Sequence, residues 1–452
     1  MKKLILSIFL LSFSLSASIA DALTNRQKSY ENILIANVKA DEPGVSVIVS
    51  RKGKVLYRGA RGLANLEHNI PLTADSVFRL GSITKQFTAA AIMILQEQGK
   101  LSIRDNIHKY VPDFPTEDND VTIENLLTHT SGIANYTDDE ELFAKEIQVP
   151  TTIDDMLVRF SKHPMQFKTG EEMRYSNTGY VLLGKIIEVA SGQSYADFIE
   201  ENIFKKLGMQ SSYYGSSKII PNRANGYDLT PNGVVNAMYI DMMWPHAAGA
   251  LLSTVSDLNV WFSALREGRL ISKKSYKMMT EPFKLNDGSI SSYGYGLGVR
   301  KFNKYDIIAH GGGIPGFVTD AFYVPSEDLY VAVLSNLSSR NPSFISKLLA
   351  AEALDIPVPK FEPIPLDESK VKGFMGSYKV DADSVRTLSL ENGKVFSQRN
   401  DGPKFEITPM SENSFYFEGA LIYIVIEQNE EGKQVMNFYN DLALEPQKAI
   451  KI

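Results

Sequence analysis

The 452-residue chain contains no cysteine. That excludes disulfides, cysteine-ligated metal sites and a lipid anchor, which needs a cysteine at its cleavage point. An exported protein built this way does not depend on the redox state of its compartment. Histidine is scarce too. His68, His108, His129, His163, His246 and His310 form no His-x-x-x-His pair, so neither a metal nor another cofactor is expected. Basic residues fall short of acidic ones, 47 against 53, for a formal charge of -6. That balance argues against nucleic acid or an anionic membrane surface as partner. There is no internal repeat and no low-complexity tract.

At this length two or three domains are expected. Residues 1–20 read as a secretory signal peptide. Lys2 and Lys3 precede the apolar stretch Leu4 to Leu11, and small residues end at Ser18-Ile19-Ala20. The stretch is shorter than the roughly 20 residues a membrane span needs. Cleavage after Ala20 removes both lysines and takes the charge from -6 to -8. The expected product is exported, either periplasmic or secreted, with no membrane anchor.

Four prolines between Ile356 and Pro365 mark a stiff linker, residues 355–366. It separates a domain at residues 23–354 from a smaller one at residues 367–452. In the first, Val45–Val49 and Val55–Tyr57 flank Arg51-Lys52-Gly53-Lys54 as a β-hairpin. A helix is expected from Thr84 to Gln98, stopped by Gly99 and apolar on nearly every face, hence buried. Strand patterns return at 306–309, 317–324 and 329–334. One sheet therefore draws on both ends of the domain, with helices between. The second domain is all strand, with Asn392-Gly393 as a hairpin turn, and reads as a small antiparallel barrel or sandwich.

Three motifs then occur in order. In Ser82-Ile83-Thr84-Lys85 the lysine follows the serine by one helical turn, so its amine can take the hydroxyl proton. The helix start adds positive potential, and the Ser82 N–H can face an oxyanion. A buried lysine has a lowered pKa suited to a base. A second Ser-x-x-Lys, Ser369-Lys370-Val371-Lys372, lacks an apolar helix behind it and reads as a solvated stretch. Tyr175-Ser176-Asn177 precedes a helix over 178–190. Tyr175 can pass a proton if nearby lysines lower its pKa, and the Asn177 amide can hold both Lys85 and a substrate. Tyr30-Glu31-Asn32 repeats that spacing but comes before the nucleophile. His310-Gly311-Gly312-Gly313 ends a strand with N–H groups open to a ligand. His310 can bind a substrate carboxylate or keep the tyrosine acidic. Ser82 has no Gly-x-Ser-x-Gly elbow around it.

The ordered set resembles the penicillin-recognising serine hydrolases, and within them the class C β-lactamase-like branch. Leu126-Leu127-Thr128-His129-Thr130-Ser131-Gly132 and Tyr175-Ser176-Asn177-Thr178-Gly179-Tyr180 match its usual wording. The likeness covers about Asp41 to Asn336, and the tail resembles a small β-barrel appended to many members. The implied fold is an α/β (α+β) serine β-lactamase-like domain, an antiparallel sheet flanked by helices, plus an all-β barrel. The resemblance implies Ser82 as nucleophile, Lys85 as base or its partner and Tyr175 as proton shuttle. It implies that Asn177 and His310 contact the substrate beside Gly312, with the N–H groups of Ser82 and Gly313 as oxyanion hole. The implied partner is a small molecule or peptide: a D-amino-acid peptide, a β-lactam or an ester.

One departure matters. Many members have Lys-Thr-Gly where this chain has His310-Gly311-Gly312. A histidine is mostly neutral at pH 7, so carboxylate binding is expected to be weaker and pH-dependent, and β-lactams to be poor substrates. The alternatives are a β-lactamase proper and a non-catalytic binding protein. The second is disfavoured because every motif residue is kept.

Overall fold

The computed structural model describes residues 25–452, so the signal-peptide reading lies outside the described residues. The chain divides into two compact units. One runs to Arg300 and resumes over Ile307–Glu352, and the other comprises Lys301–Asp306 and Ala353–Ile452.

The larger unit is built on an antiparallel sheet. Val45–Arg51 and Lys54–Arg61 form the expected hairpin, and both turn residues, Lys52 and Gly53, have positive φ (51° and 73°). That geometry suits the right-handed twist of the flanking strands. Leu329–Ser335 pairs with the other side of Val45–Arg51, in register Val47 with Val333 and Val49 with Val331. Phe317–Val324 and Tyr305–Ile314 follow outward. Leu329–Ser335 is buried at every position, and Val45–Arg51 at all but the last. Covered strands of this kind read as continuous apolar runs rather than alternating ones. Helix Val255–Glu267 supplies part of the cover, with Phe262 packed 5.1 Å from the rings of both Tyr323 and Tyr330.

Helix Thr84–Glu97 is buried from Thr84 to Leu95, as its unbroken apolar surface predicts. Helix Asn177–Ser191 starts where Ser176 Oγ accepts from the Gly179 N–H (3.3 Å) and stops at Gly192 in the left-handed region (φ 75°). Tyr30 is a core residue of helix 25–37, with its ring stacked on Tyr57. One boundary differs from expectation. The strand pattern read over 306–309 spans Tyr305–Ile314 and takes in the whole glycine motif, because Gly311, Gly312 and Gly313 keep register with Asp320, Thr319 and Val318. Strand pairing overrides the low β-propensity of three glycines.

The smaller unit holds a closed eight-stranded antiparallel barrel. Its first strand, Gly376–Lys379, pairs with its last, Gln447–Lys451. Asn392 and Gly393 turn one hairpin with φ of 50° and 72°. Tyr378, Phe415, Ile424 and Met436 are fully buried in a core of the barrel's own. Ser369 and Lys370 are exposed and engage Asp367 and Glu412, which places the second Ser-x-x-Lys on a short surface helix, Glu368–Val371. No helix among the described residues is long and apolar enough to cross a membrane.

Candidate active site

Ser82 sits in a single 3-10 turn, Gly81–Ile83, that feeds helix Thr84–Glu97. Gly81 has φ +55°, a conformation costly for any residue with a Cβ. The Lys85 side chain lies one turn along and is fully buried. Its Nζ is 3.2 Å from Ser82 Oγ, 2.7 Å from Asn177 Oδ1 and 2.9 Å from the Ala248 carbonyl. The last two can only accept hydrogen bonds, and the hydroxyl can also donate. A neutral amine has two N–H bonds and one lone pair, so it satisfies both acceptors and still faces Ser82 with its lone pair. Burial lowers the Lys85 pKa well below the ordinary lysine value. Burial thus shifts Lys85 toward the neutral amine, the form whose lone pair can take the Ser82 proton.

Asn177 opens its helix and is held from behind. Its N–H donates to Asn135 Oδ1 (2.9 Å), and its Nδ2 donates to Thr137 Oγ1 (3.2 Å). The Oδ1 is thereby turned toward Lys85.

Tyr175 brings its ring to 4.6 Å from Lys85 Nζ. Here one expectation is corrected. Proximity to lysine was expected to lower the Tyr175 pKa, but burial of the phenol pushes it up, and Ser82 opposes that only in part. The Oη is shielded from water and has no partner in hydrogen-bonding geometry. Burial therefore keeps Tyr175 a protonated phenol at neutral pH.

His310 requires a second correction. It is buried, and both ring nitrogens are engaged. Nδ1 donates to the Gly311 carbonyl (2.5 Å), and Nε2 accepts from Tyr293 Oη (2.8 Å). A carbonyl only accepts, which assigns the proton to Nδ1. Burial, with help from Lys85, lowers its pKa to about 3. His310 therefore offers no cation to a carboxylate and does not titrate near neutrality.

Gly312 and Gly313 lie where the sheet meets the nucleophile turn. A Cβ on Gly312 would stand 2.0 Å from the Leu80 carbonyl oxygen and 3.0 Å from the Ser82 nitrogen. One on Gly81 would stand 2.8 Å from the Gly313 nitrogen. The strand and the turn thus close on each other without side chains, and the backbone of Gly313 borders that of the nucleophile turn.

Sequence reasoning brought together Ser82, Lys85, Tyr175, Asn177, His310, Gly312 and Gly313, and the structure places them in one region. It did not assign His129, Tyr293 or Ala248 to the site. The His129 ring lies 4.2 Å from that of Tyr175 and 4.7 Å from that of Tyr293. Its Nδ1 accepts from the Ser176 N–H (3.1 Å), which orients the Tyr175-Ser176-Asn177 loop. The available signal was the stretch Leu126 to Gly132, in which His129 and Gly132 take positive φ (59° and 81°). Ala248 contributes only a carbonyl, which no side-chain motif can announce.

A nucleophile, a buried amine, a phenol and an open glycine strand on a helix-flanked antiparallel sheet define the serine hydrolase class to which β-lactamases and penicillin-binding proteins belong. The chain is a member of the Beta-lactamase family, whose model matches residues 24–355. It is 29% identical to a penicillin-binding protein of Bacillus subtilis (strain 168) over 92% of this chain and 97% of that one. It is 27% identical to the D-aminopeptidase of Gluconobacter oxydans (strain 621H), over 71% of this chain and 60% of that one. Among solved structures, an octameric penicillin-binding protein homologue from Pyrococcus abyssi aligns with 97% of this chain and 100% of its own (TM-score 0.65, 28% identity). A D-stereospecific amidohydrolase from Streptomyces sp. aligns with 72% and 98% (TM-score 0.63, 26% identity).

Proposed function

We propose that this protein is an exported serine hydrolase that cleaves an amide or ester of a D-amino-acid derivative through an acyl-enzyme on Ser82. The observation that carries the reading is the Lys85 amine, buried, with its pKa lowered by that burial, and 3.2 Å from Ser82 Oγ. Ser82 Oγ attacks the carbonyl carbon and its proton passes to Lys85 Nζ. The N–H groups of Ser82 and Gly313 take the developing oxyanion. Tyr175, protonated and close to Lys85, carries the proton on to the leaving group. Water then attacks the ester and the same groups run in reverse. Between the two candidate bases, the opposite pKa shifts of Lys85 and Tyr175 favour Lys85. The substrate class rests on the D-aminopeptidase and D-stereospecific amidohydrolase among the similar proteins.

Intact mass over time, with excess benzylpenicillin and beside Ser82→Ala, tests the nucleophile. A Ser82-dependent gain equal to the drug is one expected result, and its lifetime sorts a slow peptidase from a lactamase. With no gain, D-alanine amides and simple esters should still be turned over by the native protein and not by Ser82→Ala. Turnover surviving in Ser82→Ala would move the chemistry elsewhere.

A further inference from the structure

A small cavity of about 170 Å³ lies beside the nucleophile turn. Arg79, three residues before Ser82, lines it together with Arg223, Asn225, Tyr239, Pro315 and Phe317. Pro315 and Phe317 belong to the turn that carries the chain away from Gly313. The cavity therefore lies against the bend that follows the strand offered as oxyanion donor. The Arg79 guanidinium lies 5.9 Å over the Phe317 ring, and the residue pair Val77 and Arg223 forms a parallel bridge that brings the second arginine alongside.

Apart from the Phe317 ring beneath Arg79, neither guanidinium has a partner among the described residues; Arg79 is half-buried and Arg223 exposed. No ion pair and no side-chain hydrogen bond joins Arg79 or Arg223 to any carboxylate, in a chain with 53 acidic residues. Glu67, bonded to Asn236 of the cavity wall (2.8 Å), also accepts from Tyr227 Oη (2.6 Å). The two guanidiniums are close enough to repel, and that repulsion adds to burial in lowering the Arg79 pKa. Two like charges held together in a cavity, without a counter-ion, make a site for an anion. A planar guanidinium fork matches a carboxylate in particular.

We infer that Arg79 and Arg223 form a subsite for a carboxylate on the substrate, carried by the segments that run into Ser82 and out of Gly313. The inference rests on the serine-hydrolase reading of Ser82. It also supplies the cation that His310, held neutral, cannot. The cavity accommodates a carboxylate on a short stem and leaves the substrate's other end free.

The test compares matched esters with and without a carboxylate, on either side of the reacting bond. The pairs are 4-nitrophenyl hydrogen glutarate against 4-nitrophenyl valerate, and 3-carboxyphenyl acetate against phenyl acetate. In at least one pair the charged ester should have the higher kcat/KM. Arg223→Gln should lower the charged-to-neutral ratio roughly tenfold, mainly through KM. A ratio near one in both pairs, or one that Arg223→Gln and Arg79→Gln leave unchanged, overturns the subsite. Inhibition by inorganic phosphate without any preference for charged esters also overturns it, in favour of a free-anion site. If no ester is cleaved, the hydrolase reading fails separately. The subsite is then decided by calorimetry on Ser82→Ala, where N-acetyl-D-alanine should bind more tightly than its carboxamide and lose that advantage in Ser82→Ala/Arg223→Gln.

Discussion

At the scale of single residues the site is governed by what burial does to charge. Lys85 and His310 are both bases whose charged forms burial disfavours, and both pKa values fall. The consequences differ because one starts high and the other near neutrality. Lys85 loses its proton at a lowered pKa, so kcat/KM on a neutral ester should rise with pH through that value and then level off. Stability follows the same sign. An unfolded lysine keeps its proton up to about pH 10.4, and the folded one gives it up earlier, so stability drops as pH falls toward the folded pKa and is constant below it. His310, near 3, is neutral throughout. In a pH profile between about 5 and 9, His310→Gln should therefore leave the acid limb where it was, while Lys85→Gln should remove it and cut kcat by about a thousandfold or more. An acid limb that moves with His310→Gln would show that the histidine titrates after all.

At the scale of elements, the seam between the nucleophile turn and the strand Tyr305–Ile314 leaves no room for a side chain. A methyl group at position 312 would be driven into the Leu80 carbonyl and the Ser82 nitrogen. Gly312→Ala should lower kcat by a hundredfold or more, and overpacking of this kind costs about 1–3 kcal/mol of stability. Kinetics beside thermal unfolding checks it, and near-normal turnover would show that the seam yields. Much of this element was legible beforehand. The helix Thr84–Glu97 announced itself by its apolar run, and the Lys52-Gly53 and Asn392-Gly393 turns by their residue types. What stayed hidden has physical reasons. Glycine carries no strand signal, so the extension through Gly311–Gly313 depends on a partner strand. Tyr293 and His310 meet through a loop fold, and neither position is marked by periodicity. The protonation states of Tyr175 and His310 follow from enclosure, which a list of neighbouring residue types does not measure.

At the scale of the whole molecule, two units carry two separate cores. A closed barrel has no open edge, and it buries Phe415 completely. Phe415→Ala should therefore cost the barrel unit about 3–5 kcal/mol. In calorimetry of the full chain it should displace one unfolding transition and spare the other. A single transition moving as one would show that the two units unfold together. The seam has a different consequence at this scale. Where two backbones meet with no room for a side chain, mutation has almost nothing to work with, so the reacting atoms stay put as the rest of the chain drifts. Change is tolerated instead in the surrounding walls, such as the strand Gly233–Asn236, exposed at every position. A lineage built on this frame would diversify in what it accepts long before it could alter how it reacts.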